Sequence, residues 1–319
     1  MSGLSGTAMS AGWLTAGVGA YGAVTVVGLV GEVLALIALL GGDQKRTSHR
    51  FIRRLAFGLL SAAFVYNAVM IGSMWVELGR PPFKTLYETL LLYPLCIALV
   101  SIILVTMHRL WPLVPFAGIG ALACLVYARA KPDLELVLMP PALQSAWFVP
   151  HVVTYFIAYA GLFVSFALAC LALFFSFFKT EGARKALAAE MPLPPKSWLA
   201  LRGGISETPK ALAAEMPLPL EEAAHKAVMI GFAALTLGLA MGAAWGKSAW
   251  GDYWQWDPKE NWAFITWLAY LSYIHLRLIG AWRGKRALWI NLACFAAVMF
   301  TYLGMHLLPA ASGSLHVYQ

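Results

Sequence analysis

FVPHVVTYFIAYAGLFVSFALACLALFFSFF, residues 148–178, runs for 31 residues without an acidic or basic side chain other than His151. About 20 apolar residues suffice for a helix to cross the hydrocarbon core of a bilayer. The segment is therefore long enough to span with tilt or to project beyond the membrane. In lipid an open sheet leaves its backbone groups unsatisfied, so the run reads as a helix. Seven further apolar segments have cores near 15–40, 55–78, 89–107, 111–128, 227–245, 263–281 and 287–308. Together they predict an all-α polytopic membrane protein of about eight transmembrane helices, with 1–319 as a single integral membrane domain. Composition agrees. Of 319 residues 61% are hydrophobic and 12% charged, and the mean hydropathy is +0.71. An ordinary soluble domain carries about 25% charged residues. These values exclude a soluble globular enzyme, a disordered chain and a collagen-like chain.

The basic residues predict the orientation. Lys and Arg collect in cytoplasmic loops, and the first loop carries Lys45, Arg46, Arg50, Arg53 and Arg54. With that loop inside, 17 of the 23 basic residues fall inside and six fall outside: Arg80, Lys84, Arg129, Lys131, Lys247 and Lys259. Both termini and the loops 80–88, 129–147 and 246–262 are then expected on the outer face. The first 12 residues lack the basic start of a signal peptide, so the first span is expected to act as its own targeting signal. The long inner loop, 179–226, contains KALAAEMPLP twice, at 185–194 and 210–219. Each copy is a helix-forming run closed by a proline breaker. Two copies fall short of the three a solenoid needs, and the repeat reads as a local duplication.

Six of the 13 tryptophans fall within 23 residues, from Trp245 to Trp267. An aromatic belt at the membrane surface accounts for two or three indoles at a helix end. It does not account for six interleaved with Gly246, Gly251, Asp252, Asp257 and Glu260. Asp257-Pro258-Lys259-Glu260 further reads as a helix start, with an N-cap, proline at the first helical position and Glu at the third. A rigid aromatic platform leading into the seventh span is predicted. Flat indoles suit a flat apolar ligand, and glycines let the backbone approach it. That chemistry admits haem, a quinone or another ring system. Nucleic acid is not expected, because the loop is nearly charge-balanced and faces outward.

Histidines narrow the choice. His151, at the outer end of the fifth span, shares a side with the tryptophan loop, as do His306 and His316. Two neutral imidazoles are able to ligate a haem iron from opposite faces. His275 lies within the seventh span, where an ionisable residue is a functional candidate. Glu32 and Glu77, also in spans, read as structural pairing residues, and His49, His108 and His225 as solvated residues at inner loops or span ends. The four cysteines, Cys96, Cys124, Cys170 and Cys294, each stand alone in an apolar run without a CxxC pair, which argues against thiol redox chemistry.

WGDYWQWDPKENW, 250–262, resembles the tryptophan-rich "WWD" signature of the haem-handling proteins of cytochrome c biogenesis. Within that superfamily the chain is most similar to the CcsA (ResC) family of system II. GRPPFKTLYETLLLY, 79–93, and TYLGMHLLPAASGSLHVY, 301–318, are similar to two further segments of that family, so the resemblance covers most of the chain. It implies haem b as substrate and ligand, held by Trp250, Gly251, Trp254, Trp256, Asp257, Glu260 and Trp262. It implies His151 and His316 as axial ligands of an outer haem iron. His306 is a departure, standing where the family usually has another polar residue, and competes with His316. His275 matches a membrane-buried haem ligand whose partner histidine lies in a CcsB-type subunit. The expected activity is transfer of haem to the outer face and its thioether attachment to apocytochromes c bearing CxxCH. The chain would act as part of a cytochrome c synthetase (haem lyase) complex in the cytoplasmic membrane rather than a thylakoid. A membrane transporter of another substrate, or a haem/quinone oxidoreductase subunit, are the alternatives that the residues alone leave open.

Overall fold

The structure, a computed structural model, describes residues 2–40, 46–130, 140–177, 219–279 and 282–304. Eight α-helices follow one another among them: α1 (Ser2–Leu40), α2 (Arg46–Leu78), α3 (Leu86–His108), α4 (Leu113–Ala130), α5 (Phe148–Phe177), α6 (Pro219–Trp250), α7 (Pro258–Leu278) and α8 (Lys285–Tyr302). A short 3₁₀ turn, Pro141–Gln144, precedes α5. Six helices carry segments long and apolar enough to cross a membrane: Gly12–Leu34, Arg50–Leu78, Leu86–His108, Leu113–Ala130, Phe148–Phe174 and Leu220–Trp250. The chain is an integral membrane protein. The helices α7 and α8 are not among these six, and several of their polar side chains point inward. Thr266 Oγ1 meets Thr301 Oγ1 at 2.9 Å, Thr301 also donates to the Trp262 carbonyl, and Asn291 Nδ2 donates to Ser165 Oγ at 2.7 Å. These bonds join α7 to α8 and α8 to α5 away from lipid, while Asn291 Oδ1 stays buried without a partner among the described residues.

Packing forms two connected halves. α1 packs on α2 and α4, and α3 on α4; α5 packs on α6 and α8, and α7 on α8; α3 also packs on α5 and so links the halves. The α5–α6 interface is close because glycines face it. A Cβ on Gly161 would stand 3.2 Å from the Gly231 Cα. Small residues of this kind let membrane helices approach backbone to backbone.

Several helices outrun their expected cores: α1 begins at Ser2 and α2 at Arg46, and the sixth helix is longer at both ends. The sixth span begins not near 227 but at Pro219, so 219–226 of the expected inner loop is helical. Glu221 and Glu222 in that first turn pair with Arg277 of α7, and Glu221 also accepts from the Gly284 amide at 2.9 Å. Acidic residues favour a helix N-terminus, and this cluster ties α6, α7 and the start of α8 together. At its other end α6 continues to Trp250, which shortens the loop between α6 and α7 to 251–257. The rest of the 179–226 loop, with both repeat copies apart from Pro219, and the C-terminal tail with His306 and His316 lie outside the described residues. Glu32 is paired as expected. Its carboxylate takes both Nε and Nη2 of Arg53, at 2.8 and 2.6 Å, joining α1 to α2. Glu77 is exposed.

Candidate functional site

The starts of α3, α5 and α7 and the ends of α6 and α8 surround a cavity of about 370 Å³. That volume lies within the range of small-molecule sites, about 300–1,000 Å³. Its construction begins with local capping. Asp257 accepts from the Lys259 amide at 2.8 Å, and Glu260 Oε2 accepts from the Asp257 amide at 3.1 Å, so the expected capping box is present. Glu260 Oε2 also takes the Gln255 amide at 2.9 Å. One carboxylate thereby fixes the loop that delivers Tyr253 and Trp254 to the cavity. On the opposite side Thr85 and Glu88 form a second capping box at the start of α3. Arg80 clamps Glu88 at 2.7 Å, and Glu88 accepts from the Lys84 amide at 2.6 Å. This network holds Phe83, Lys84 and Thr85 against the cavity.

His151 stands in the wall between these two loops. Its Nδ1 lies 2.8 Å from the Gly238 carbonyl of α6. A carbonyl only accepts, so Nδ1 carries the proton and the ring's lone pair is on Nε2, the tautomer suited to metal ligation. The ring stacks on Trp245, with centroids 5.7 Å apart and planes 19° apart, and meets Tyr155 edge-on at 4.9 Å. Trp245 is only 2% exposed and is anchored by its Nε1 to the Ala142 carbonyl at 2.8 Å. Two glycines of α6 make room. A Cβ on Gly238 would stand 2.5 Å from Tyr155 Cδ2, and one on Gly242 would stand 2.7 Å from His151 Cε1. Deeper in the cavity Tyr302 and Tyr159 join Tyr155, and Tyr302 pairs with Thr89 at 3.2 Å.

The residues expected to form the platform are divided by the fold. Trp254 and Glu260 line the cavity. Trp250 stands one layer behind, edge-on to Trp245 at 4.6 Å. Trp262 packs on Phe300 of α8 at 4.2 Å. Gly251 has φ +90° and begins the loop, a conformation glycine adopts without penalty. Asp257 is buried as the cap. Trp256 is 68% exposed and holds φ +56°, with its carbonyl taken by Asn261 Nδ2 at 2.9 Å. It begins a row of aromatic contacts that continues through Trp254, Phe264, Trp267 and Phe232 along α7 and α6. His275, on the far half of α7, is exposed on the outside of the bundle. Among the described residues no three His, Cys, Asp or Glu side chains gather as a metal site, and the four cysteines are unpaired thiols.

The donor set fits haem: an imidazole with its Nε2 lone pair together with indole and phenol rings. Sequence reasoning missed Trp245 as the ring under His151, the tyrosines, and the glycines that admit them. The signals were present as His151, Tyr155 and Tyr159 at four-residue intervals on α5, and Gly238, Gly242 and Gly246 at the same interval on α6. Four-residue spacing puts each set on one helix face.

The fold and this site define a polytopic membrane protein with an aromatic, histidine-bearing cavity at one end of its bundle. The chain belongs to the Cytochrome C assembly protein family, whose model matches residues 83–311, and its curated relatives include CcsA proteins. It is 31% identical over 297 residues to the cytochrome c biogenesis protein CcsA of Synechococcus sp. (strain RCC307), covering 89% of this chain and 93% of that one. It is 33% identical over 246 residues to CcsA of Chlorella vulgaris, covering 73% and 77%. With CcsA of Prochlorococcus marinus (strain AS9601) the identity is 30% over 306 residues, covering 90% and 93%. The match to the family includes Phe83, Lys84 and Thr85 of the first cavity loop, His151 and the 250–262 run.

Proposed function

We propose that this chain holds haem in the cavity at the outer end of its bundle and presents it for thioether attachment to CxxCH apocytochromes c. A role in cytochrome c biogenesis follows from its family. The finer reading is carried by one observation: His151, with Nδ1 bonded to the Gly238 carbonyl, stands in the wall of a cavity that the 250–262 loop also lines. Haem supplies the vinyl groups that the cytochrome's thiols add across, and its iron is the metal that histidines ligate. The chain supplies the holding. His151 offers Nε2 from one side, and His316 from the tail is proposed as the opposite ligand. Trp254 and Tyr253 cover the ring from the loop, and Trp245 fixes the His151 plane from behind. Trp250, Gly251, Asp257 and Trp262 act by shaping that loop, and Glu260 by holding it to the start of α7. The catalytic contribution is positioning of the ring against the thiols and exclusion of water.

The exposed position of His275 supports a second, membrane-level haem site shared with a histidine of a CcsB-type subunit, because a lone imidazole on the outside of a bundle needs a partner. Eight spans, with both termini and the cavity outside, agree with the inside surplus of basic residues. The enzyme in this reading is the complex of the two subunits in the cytoplasmic membrane.

The test is the visible spectrum of the chain co-purified with its CcsB-type partner. A bis-histidine haem spectrum is expected. In His151→Gly the outer haem is lost and added imidazole restores it. A His151→Gly complex with an unaltered spectrum removes His151 as a ligand, and absence of haem from the wild-type complex removes the reading itself.

A further inference from the structure

The cavity wall carries a charge pattern that an apolar ring alone does not require. Lys84 enters it from the loop before α3 and Lys259 from the first turn of α7. Glu260 is the carboxylate among the described lining residues, and its Oε2 is already held by the amides of Gln255 and Asp257. Glu88, next to Lys84, is taken up by Arg80. No ion pair with a described residue holds the ammonium of Lys84 or of Lys259. Two ammonium groups without a direct ion pair thus border a cavity built mainly from aromatic and aliphatic groups, with the Asp257 carboxylate close to Lys259 and Glu260 as the lining carboxylate. Burying anionic groups in such a place costs several kilocalories per mole unless cations meet them, and the lysines supply those cations.

We infer that Lys84 and Lys259 anchor the two carboxylates of the bound tetrapyrrole. The inference rests on the haem reading above and adds to it a direction of entry. Haem b carries both carboxylates on one edge and its vinyls away from that edge. Held through its carboxylates by the two lysines, the ring keeps its vinyl-bearing side turned from them and accessible to the thiols of an incoming CxxCH segment. Lysine suits this task because its flexible stem lets a point charge follow a carboxylate that must later be released. The two lysines are positioning residues: they fix the ring, and the reacting atoms lie elsewhere.

The experiment compares two probes on the full chain in its complex with the CcsB-type subunit. Iron protoporphyrin IX has both carboxylates, and its dimethyl ester has neither charge but the same ring and iron. Wild type is expected to bind the diacid at least about tenfold more tightly than the ester, one charge-assisted contact being worth about that factor. Lys84→Gln and Lys259→Gln each lower diacid affinity while leaving ester affinity and the histidine-ligated Soret position in place, so the preference collapses. Lys84→Arg and Lys259→Arg keep it. Because the ratio of the two probes is read within each variant, a general loss of folded protein does not imitate the result. Equal binding of both probes by wild type, or a parallel loss of both in the Gln variants, overturns the lysine anchor and leaves the haem reading standing. Binding of neither probe by wild type removes the haem reading and this inference with it.

Discussion

The imidazole of His151 lies so close to Gly242 that a Cβ on the glycine would stand 2.7 Å from Cε1 and 3.0 Å from Nδ1. Real Cβ contacts do not occur at the first of these distances, so α6 has no room for a side chain where His151 sits. The hydrogen bond to Gly238, one turn away, holds the ring in that place. The position of the proposed haem ligand is thus set by two glycines on the neighbouring helix.

Gly242→Ala is therefore expected to push the ring out of line and weaken haem binding, with a fold that survives. Overpacking of this kind costs about 1–3 kcal/mol. The Soret band and haem retention check the first effect, and thermal unfolding in detergent the second. Gly22→Ala in α1 is the control. Its Cβ would meet nothing within 4 Å, and stability there should hold or rise slightly, since Ala favours a helix over Gly by about 1 kcal/mol.

Trp256 is the non-glycine residue of the loop held at positive φ, and it is 68% exposed. A bulky side chain in that region costs on the order of 1–3 kcal/mol. Trp256→Gly should leave stability equal or higher and haem retention unchanged, because the indole faces away from the cavity. A fall in retention would place the indole on the ring in the loaded protein.

Asp257 caps α7 and is buried. Asp257→Ala should cost about 0.5–2 kcal/mol and loosen the loop that carries Trp254. Asp257→Asn retains the capping oxygen and should restore most of both stability and haem binding. A variant pair with equal haem content would separate the cap from the site.

Arg277 and Glu221 are 6% and 2% exposed and bond directly to each other. Removing one partner of a buried pair strands the other, at about 3–5 kcal/mol. Arg277→Met should therefore destabilise the chain strongly, and the double variant Arg277→Met, Glu221→Met should recover much of the loss. Equal stability of the single and double variants would show that the Gly284 amide, not Arg277, holds Glu221.

His275 is exposed on α7. His275→Ala should leave the stability of the chain alone unchanged. In the complex with the CcsB-type subunit it should remove the membrane-level haem and spare the outer one. A lowered melting temperature of the isolated chain would instead make His275 a packing residue.

The features legible in the residues are those with local causes. Uninterrupted apolar runs such as 148–178 dictate helices, because lipid offers the backbone no other partner. The capping box at Asp257 is likewise local, its three participants lying within four residues. The pairing of Glu32 was also expected, although the identity of Arg53 as its partner emerged only from the packing of α1 on α2. Thr266, Asn291 and Thr301 of α7 and α8 are buried in the bundle, which hydropathy along a chain does not register.

Only the tertiary structure decided which indoles face the cavity. Six tryptophans crowd one stretch, yet Trp245 and Trp254 line the cavity while Trp250, Trp256 and Trp262 face elsewhere. Their directions depend on where α6 ends, on the positive φ at Gly251 and Trp256, and on what α8 presents to Trp262. Each of these is a long-range or conformational choice that spacing along a loop does not encode. The same holds for Lys84 and Lys259, 175 positions apart in the chain and brought to one cavity by the packing of α3 on α5 and of α7 on α6 and α8. Composition alone establishes an apolar helical membrane chain with an aromatic loop. The cavity arises because glycines on α6 admit His151 and Tyr155 from α5, and that fit exists only once the two helices have met.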